Sequence, residues 1–361
     1  MKIGILTFHM AVNYGAYWQA YALNKYINDR YNIDCYLINY ESRYTFKKDI
    51  IMRILNPNLP KGLYNLLAVA NFRRGWKLMK KTRFSTNIKA HKFDGYILGS
   101  DEIWNYTNPF VEKGDCTYFG RSFEANKIMT FAPSFGCAGS SNITREITQS
   151  IARLNPDNIS VRDENSQEIV EKLTGYKVPV LVDPVFLNEY TPKRIKGGKK
   201  FILVYGNNFD REFIDSIKEI AANERALIYS FGFINSFAHK NIVFKSPIEI
   251  LDYFYSADYV FTNMYHGVVF SLCCKKQFFM QYNESKQNKV DTLLERIGLS
   301  DRVVCSRHEA YELYRHIKQN PYDFNNYMEK LQSLIQQSKD FIDTRIKHLN
   351  TPLINKSYRG A

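Results

Sequence analysis

The sequence lacks the features that mark several large classes of protein. Its six cysteines are scattered through 361 residues and form no C-x-x-C pair, so we expect reduced packing thiols and no thiolate-based metal site. No run of about 18 apolar residues is present, so no helix is expected to span a bilayer. The absence of a G-x-G-x-x-G or Walker loop removes the usual nucleotide fingerprints and disfavours a coenzyme-linked oxidoreductase.

The composition of a disordered chain is also missing. Hydrophobic residues make up 45% and aromatic residues 15% of the sequence, which is enough for two medium-sized domains with their own cores. The N-terminal stretch "MKIGILTFHM" has an apolar run of only about six residues, shorter than the roughly 7–15 of a signal-peptide core. We therefore expect a cytoplasmic protein.

Acidic residues are scarce in one segment. Residues 41–92 contain 13 Lys and Arg but only Glu41 and Asp49 as acids, a net charge of +11, and the rest of the chain carries only +2 of the total +13. The pattern predicts a helical hairpin in which Phe72, Trp76 and Met79 share one face. We expect this face to contact an anionic membrane. A solvated insert that packs on the first domain is the alternative, and nucleic-acid binding is disfavoured because no recognised module accompanies the charge.

Short apolar runs alternate with helical patterns in both halves of the chain. This alternation predicts an α/β protein with two Rossmann-like domains, each built on a parallel sheet, and a cleft between them. Ligands of such sheets bind beyond the carboxyl ends of the strands. The predicted units are a first domain (1–186, with the basic insert at about 41–92), a linker (187–200), a second domain (201–330) and a C-terminal helix (331–361).

The first strand-to-helix turn carries Asn13, Tyr14 and Gly15. A helix N-terminus offers free N–H groups to an anion, and a glycine lets a ligand approach the backbone. The turn is therefore a candidate ligand site. The alternative is that Asn13 only caps the helix and Tyr14 packs.

Two further turns in the first half are candidates for a sugar site. In "ILGSDEIWN", Ser100 and Asp101 can accept or orient hydroxyl hydrogen bonds, and Trp104 offers a face for stacking; the alternative is a helix cap with Trp104 in the core. In "FAPSFGCAGSSN", Ser134 and Gly136 belong to a small-residue loop that can line a phosphate or sugar pocket, or that is an ordinary βα loop.

Two motifs supply charge. In "VFTNMYHGVVFSL", His266 and Gly267 start a helix after a strand, where His can donate to an anion or act as a general acid, although a lone His is often structural. In "ISVRDENS", Arg162 suits bidentate binding of phosphate or carboxylate, with an interdomain ion pair as the alternative.

Six stretches then occur in a fixed order. They are "LTFHMAVNYGAYWQAYAL", "YILGSDEIWN", "FAPSFG", "ISVRDENS", "VPVLVDPVFL" and "FTNMYHGVVFSLCCKKQFF". Together they resemble the polysaccharide pyruvyl transferase family over most of residues 1–300, apart from the basic insert. The resemblance implies a GT-B-like fold, with the first domain on the acceptor side and the second on the donor side.

The resemblance also implies a reaction. Such enzymes transfer the carbon skeleton of phosphoenolpyruvate to two sugar hydroxyls as a cyclic ketal, on a cell-surface polysaccharide (capsule or exopolysaccharide) or its lipid-linked precursor. No cofactor is expected, because phosphoenolpyruvate is a co-substrate. No metal is expected either, because the reaction does not require one and the sequence has no cluster of metal ligands. The alternatives are a GT-B glycosyltransferase that uses a nucleotide sugar and a non-catalytic protein that binds a glycan or scaffolds an assembly complex.

Roles for the candidate residues follow from the resemblance. His266 would be the general acid and Asp101 would orient or deprotonate an acceptor hydroxyl. Some family members carry an Arg two residues before the His, where this sequence has Met264, so another cation would hold the donor. The expected donor-binding residues are Arg162, Gly267, Lys286 and Lys289, and the expected acceptor-binding residues are Asn13, Tyr14, Gly15, Ser100, Trp104, Ser134 and Gly136. The expected partners are phosphoenolpyruvate, a lipid-linked or oligosaccharide acceptor and the inner face of the plasma membrane.

Overall fold

A computed structural model supplies the architecture. It describes residues 1–53, 59–109, 111–195, 199–284, 287–320 and 324–349, and for residues 49–53, 59–65, 324, 325 and 348 it describes the backbone alone. Lys286 and the residues after Leu349 lie outside this part of the chain. None of the described helices is both long and apolar enough to cross a membrane.

The first domain is built on a four-stranded sheet with the strand order β2-β1-β3-β4, in which every pairing is parallel. Its strands are short apolar runs that are buried almost throughout. The elements of this domain are β1 (Lys2–Leu6), α1 (Tyr14–Arg30), β2 (Asp34–Leu37), α2 (Arg43–Arg53), α3 (Leu59–Trp76), β3 (Gly95–Leu98), β4 (Ile128–Thr130), α4 (Arg145–Ala152) and α5 (Glu164–Thr174).

The second domain is built on a six-stranded parallel sheet with the order β10-β9-β8-β5-β6-β7. A long final helix leaves this domain and returns to the first. The elements are β5 (Phe201–Tyr205), α6 (Arg211–Asn223), β6 (Leu227–Phe231), β7 (Lys240–Ile242), α7 (Ile250–Ser256), β8 (Tyr259–Thr262), α8 (Tyr265–Cys273), β9 (Phe278–Gln281), α9 (Gln287–Ile297), β10 (Val303–Val304), α10 (Arg307–Gln319) and α11 (Phe324–Leu349).

The two domains share one apolar core. Tyr14 and Trp18 of α1 pack with Phe231 and Phe270 of the second domain in the same cluster. The helix α11 also contacts the first domain, because the Asp343 carboxylate accepts hydrogen bonds from Arg30 of α1. Helix α11 begins at Phe324, earlier than the expected start at residue 331. Residues 350–361 of the expected helix lie outside the described residues.

Two of the short apolar runs in the first half of the chain do not form strands. The stretches "ISVRDE" and "VPVLVD" run side by side but make only one isolated bridge, between Val161 and Val180. Asp163 explains part of this, because its carboxylate accepts a hydrogen bond from the Ser166 N–H and so starts α5 immediately after the bridge. In the predicted linker, the structure describes residues 187–195, 199 and 200.

The expected orientation of the basic insert is wrong. Phe72, Trp76 and Met79 are 2%, 5% and 5% exposed, and they join the shared core instead of facing outward. The ring of Phe72 lies 4.9 Å from that of Tyr14. The periodicity predicted a common face correctly, but the neighbour that covers this face is the protein itself.

Candidate active site

The candidate site lies where one helix of each domain begins at the carboxyl end of a parallel strand. Helix α1 follows β1, and helix α8 follows β8. Asn13 caps α1 because its side-chain oxygen accepts a hydrogen bond from the Ala16 N–H at 3.1 Å. Met264 stands at the cap position of α8 and makes no side-chain capping bond. The first N–H groups of a helix have no intrahelical acceptor, so the start of α8 can donate hydrogen bonds to an anion.

Gly267 serves packing at this helix start. Its N–H donates to the carbonyl oxygen of Met264 at 2.8 Å, and a Cβ there would lie 2.0 Å from Thr262 Oγ1. The expected anion contact through this N–H is therefore corrected, because the group already closes the first turn. The N–H groups of Tyr265 and His266 precede it and are the ones that the helix geometry leaves for an anion.

His266 and Gly15 form the contact between the two helix starts. A Cβ on Gly15 would lie 2.2 Å from Nδ1 of His266, closer than any real side chain can approach. The imidazole thus rests directly on the backbone of α1, and only 12% of its side chain is exposed. Gly15 is brought to the predicted site, and its role there is to leave space for the histidine ring.

Asp183 lies on the other side of the His266 ring. Its Oδ2 is 3.3 Å from His266 Nε2 and 3.2 Å from Arg162 Nη1, and none of the Asp183 side chain is exposed. The other carboxylate oxygen accepts the Val185 N–H at 3.0 Å. One buried carboxylate of the first domain therefore joins an arginine of that domain to the histidine of the second.

The charge of Arg162 keeps the Asp183 carboxylate ionised. Burial acts to raise the pKa of Asp183, but the charge of Arg162 and the interaction with His266 outweigh it and hold this pKa below its ordinary value. Asp183 is then ionised and can only accept hydrogen bonds. An ionised Asp183 can therefore hold the Nε2 side of the His266 ring, whereas Nδ1 lies beside Gly15.

Arg162 belongs to the site but faces away from solvent. Only 1% of its side chain is exposed. Besides Asp183, the guanidinium contacts the Ser100 hydroxyl and the carbonyl oxygen of Ala132, and it lies 5.4 Å from the centre of the Tyr265 ring. The expected direct contact with donor phosphate or carboxylate is corrected, because this cation is already neutralised by buried Asp183.

Lys289 also lies against the Tyr265 ring. Its ammonium lies 5.3 Å from the centre of the Tyr265 ring and pairs with the carboxylate of Glu102 in the first domain. With 4% of its side chain exposed, Lys289 closes the domain interface and would have to leave Glu102 to bind a donor. Burial raises the pKa of Tyr265 well above its ordinary value, so its phenol stays neutral between the two cations.

Asp101 is the predicted catalytic carboxylate that solvent can reach. Its side chain is 16% exposed, and its Oδ1 lies 4.0 Å from Arg162 Nη1. The same oxygen accepts the Glu102 N–H at 2.9 Å, within a backbone turn of positive φ (72°). Asp101 therefore lies at the solvent-accessible edge of the group formed by Arg162, Asp183 and His266, where its carboxylate can contact a hydroxyl group.

Several expected sugar-binding residues are buried. Trp104 has no exposed surface, stacks on Phe119 with ring centres 5.9 Å apart, and donates its indole N–H to the carbonyl oxygen of Tyr118 at 3.1 Å. Its expected role as a stacking platform is corrected, because both faces of the ring lie in the core of the first domain. The carboxyl ends of strands also start the loops that cover the core, and Trp104 follows such an end.

Ser100, Ser134 and Gly136 are likewise engaged inside the protein. The Ser100 hydroxyl donates to the Ala132 carbonyl at 3.0 Å, and the Ser134 hydroxyl donates to Asp163 at 2.5 Å. Gly136 has φ +62°, and its carbonyl oxygen accepts a hydrogen bond from Asn288 of the second domain. These expected acceptor contacts are corrected to structural ones.

Tyr14 is also a structural residue. It is 7% exposed, its hydroxyl donates to the Lys245 carbonyl at 3.1 Å, and its ring contacts Phe231 edge-on. The expected contact of Tyr14 with an acceptor is corrected, because its hydroxyl bridges the two domains. Asn13, by contrast, is exposed at the mouth of the site.

Sequence reasoning missed Asp183, Glu102 and Tyr265. A signal existed for Asp183, since it directly follows the apolar run "VPVLV" and precedes Pro184. Nothing local could have paired it with His266, which belongs to the other domain. The predicted Lys286 lies outside the described residues. The described residues contain no group of three or more His, Cys, Asp or Glu side chains that could hold a metal ion.

The site as a whole combines a partly exposed carboxylate, a histidine next to a buried carboxylate, and a helix start that can receive an anion. Such a set can transfer protons to and from a substrate while it stabilises negative charge on a leaving group. A family model described as polysaccharide pyruvyl transferase matches residues 13–285. No curated protein matches the sequence significantly.

Solved structures are similar in fold. UDP-GlcNAc 2-epimerase from Neisseria meningitidis bound to UDP-GlcNAc has a TM-score of 0.51 and 11% sequence identity, over 96% of this chain and 100% of that chain. The S. aureus MnaA-UDP co-structure has a TM-score of 0.51 and 9% identity, over 97% and 98% of the two chains. At such low identity the likeness concerns the fold alone, and it confirms the predicted pair of Rossmann-like domains in a GT-B-like arrangement.

Proposed function

Because this chain belongs to the polysaccharide pyruvyl transferase family and is thus a transferase, we propose that it transfers the pyruvyl group of phosphoenolpyruvate to two hydroxyls of one sugar. The product is a cyclic pyruvate ketal on a cell-surface polysaccharide or its lipid-linked precursor. The observation that supports this proposal is the Asp183–His266 pair at the start of α8, with the partly exposed carboxylate of Asp101 4.0 Å from the Arg162 that binds Asp183.

The reaction sets three requirements. Two bonds form between C2 of the donor and the sugar oxygens, and the bond from C2 to the phosphate oxygen breaks. The methylene carbon C3 gains a proton and becomes a methyl group. The two hydroxyls release two protons, of which one balances the proton taken up by C3 and the other leaves with phosphate or solvent. The protein must therefore supply an acid, a base and a place for the phosphate charge.

His266 is the proposed acid, with Asp183 as its positioning residue. Asp183 holds Nε2, and Gly15 borders Nδ1, so both ring nitrogens face protein atoms in the described structure. Proton transfer to C3 then requires the ring to move away from one of these contacts when the donor binds. Arg162 supports the pair because it keeps Asp183 ionised.

The proposed place for the donor's negative charge is the start of α8. Met264 provides no side-chain cap, so the N–H groups of Tyr265 and His266 are suited to phosphate or carboxylate oxygens. Asp101 is the proposed base for an acceptor hydroxyl because its carboxylate reaches the surface. Asn13, exposed on the opposite helix start, is the remaining predicted acceptor contact.

Donor identity can be tested without knowledge of the acceptor. Thermal melting of the full-length protein is measured with phosphoenolpyruvate, with inorganic phosphate and with a UDP-sugar. We expect stabilisation by phosphoenolpyruvate beyond that by phosphate, since a bound ligand stabilises the native state by mass action. Stabilisation by the UDP-sugar alone would contradict the proposal and favour a nucleotide-sugar enzyme of the same fold.

Product formation is the second test. The protein is incubated with phosphoenolpyruvate and candidate glycolipids, and mass spectrometry looks for the mass increment of a pyruvate ketal, which differs from that of a hexose. The variant Asp183→Asn should form little product. It should also lose about 3–5 kcal/mol of unfolding free energy, because Arg162 would remain buried without its anion. Wild-type stability and turnover in this variant would remove Asp183 from the proposed mechanism.

A further inference from the structure

The basic insert, residues 41–92, exposes apolar side chains that the core does not use. Twelve large apolar side chains are exposed in the described residues, and half of them lie in this segment. They are Tyr44, Phe46, Leu66, Leu67, Leu78 and Phe84. Exposed apolar groups concentrated in one segment commonly mark a surface that meets another apolar phase.

Helix α3 shows how these side chains are arranged. Phe72 and Trp76 face the core, while Leu66 and Leu67 are 52% and 43% exposed. Arg73 and Arg74 follow these leucines by seven residues, which places each cation two turns further along the same exposed side. In the part of α3 whose side chains are described, the exposed side therefore carries two leucines and, two turns later, two arginines.

A second apolar spot has the same composition. The rings of Phe46 and Phe84 lie 5.1 Å apart and join α2 to the stretch that follows α3. Arg43, Lys47 and Arg83 are exposed beside them in the sequence. With 13 cations and two acids, the segment also carries most of the net charge of the protein.

From this arrangement we propose that the exposed apolar and basic side chains named above form a docking surface for an anionic lipid bilayer. The cations attract acidic headgroups, and the leucine and phenylalanine side chains enter the interfacial region. A polyanion such as nucleic acid would use the cations but would leave Leu66 and Leu67 in water. The docking surface thus differs from the face predicted from sequence, since the Phe72 face is buried and the leucine face is exposed.

The insert is firmly attached to both domains. A Cβ on Gly75 would lie 2.5 Å from Pro247 of the second domain, and Tyr14 bridges Phe72 to the Lys245 carbonyl. Docking would therefore orient the whole molecule on the membrane. The idea that docking brings the site to an acceptor carried on a lipid rests on the proposed function. The docking itself does not depend on that function.

Vesicle sedimentation of the full-length protein tests the proposal. Vesicles of phosphatidylglycerol with phosphatidylcholine are compared with vesicles of phosphatidylcholine alone at low salt. We expect binding to the anionic vesicles only. The double variant Arg73→Gln with Arg74→Gln should weaken this binding roughly 30-fold, since each cation near the surface contributes about 1 kcal/mol. The double variant Leu66→Glu with Leu67→Glu should weaken it at least about tenfold.

Matched controls come from exposed residues elsewhere. Ile234→Glu with Tyr176→Glu places the same charges at side chains that are 65% and 58% exposed, and Arg211→Gln with Arg315→Gln removes two surface cations. Both control pairs should bind vesicles like the wild type. Leu66→Ser with Leu67→Ser provides a milder variant, and circular dichroism checks that every variant is folded.

Two outcomes would overturn docking by insertion. One is a wild-type protein that does not sediment with anionic vesicles at low salt. The other is loss of binding in the arginine variant with full binding in both leucine variants, which would indicate a purely electrostatic polyanion surface. Thermal stabilisation by phosphoenolpyruvate is measured on the same variants and should be unchanged, so failure of docking and failure of the proposed reaction are separate results.

Discussion

Helices α1 and α8 begin in similar places but with different first turns. Both follow a parallel strand, and the two meet at the domain interface. Helix α1 is capped by Asn13, and its first residue, Tyr14, is buried between the domains. Helix α8 has Met264 at its cap position without a side-chain bond, and its second residue is His266, held by Asp183.

This difference separates a supporting role from a chemical one. The Asn13 side chain caps the Ala16 N–H, and Gly15 next to it leaves room for the His266 ring, so the start of α1 supports the histidine. At the start of α8, the N–H groups of Tyr265 and His266 are the proposed anion donors, and the His266 ring is the proposed proton carrier beside them. We therefore expect changes near α8 to affect turnover and changes near α1 to affect stability.

The largest expected effect is that of His266→Ala. Loss of a general acid lowers kcat by about 10²–10⁴, and a partly exposed ring at the site is expected to matter less for stability. Steady-state kinetics and urea unfolding measure the two quantities on one preparation. His316→Ala, at an exposed histidine of α10, is the control and should change neither. A kcat within a few-fold of the wild type would remove His266 as the acid.

His9 should produce the next largest effect, on the α1 side, and on stability alone. This histidine is 2% exposed, and burial lowers its pKa from 6.5 to about 4. The Lys81 charge also lowers this pKa, whereas the hydrogen bonds of His9 to the Thr7 carbonyl and with Asn39 raise it. Between these two pKa values the unfolded chain binds more protons than the folded protein. The unfolding free energy should thus fall by about 2 kcal/mol from pH 7 to pH 5 through this group.

The variant His9→Asn isolates this contribution. Its amide can replace the hydrogen bond between His9 Nδ1 and the Thr7 carbonyl without titrating. Urea unfolding at pH 7, 6 and 5 should show a smaller loss of stability in this variant than in the wild type, and His316→Asn should retain the wild-type dependence. Equal pH dependence in wild type and His9→Asn would show that His9 is not the group responsible.

Gly15→Ala tests the contact that joins the two helix starts. The added methyl group would lie 2.2 Å from His266 Nδ1, so the ring or the helix must shift, at a cost of about 1–3 kcal/mol. We expect kcat to fall because the ring loses its contact with Asp183. Gly139→Ala is the matched control, since a Cβ there meets no atom within 4 Å. An unchanged kcat in Gly15→Ala would show that the position of the His266 ring against Gly15 does not determine the catalytic rate.

The smallest expected effect is that of Asn13→Ala. Loss of the cap should lower the unfolding free energy by about 1 kcal/mol, while Asn13→Ser, which can still accept the Ala16 N–H, should retain most of it. Both variants should keep kcat near the wild-type value, because the side-chain oxygen of Asn13 is already engaged in capping the helix. A loss of activity that the serine variant shares would instead assign Asn13 to the acceptor, as the sequence predicted.

Comparison of particular residues shows where sequence reasoning succeeded. The helical periodicity of "GAYWQAYALNKYIND" and the strand-to-helix change around His266 predicted α1 and α8 correctly. The face shared by Phe72, Trp76 and Met79 was also correct, although what covers it was not. The sequence analysis placed residues that follow strands in one site. Trp104 and Ser134 follow strands but are buried, because the loops after the strands also cover the core.

The amino-acid sequence by itself determined the order of strands and helices, the parallel α/β class and the position of His266 at a helix start. These features depend on hydrogen bonds and apolar periodicity between near neighbours, which a single stretch of chain displays. Only the tertiary structure decided which charges meet. The partnership of Arg162, Asp183 and His266 spans both domains, and an ion pair in the interior depends on burial and distance, which no local pattern encodes.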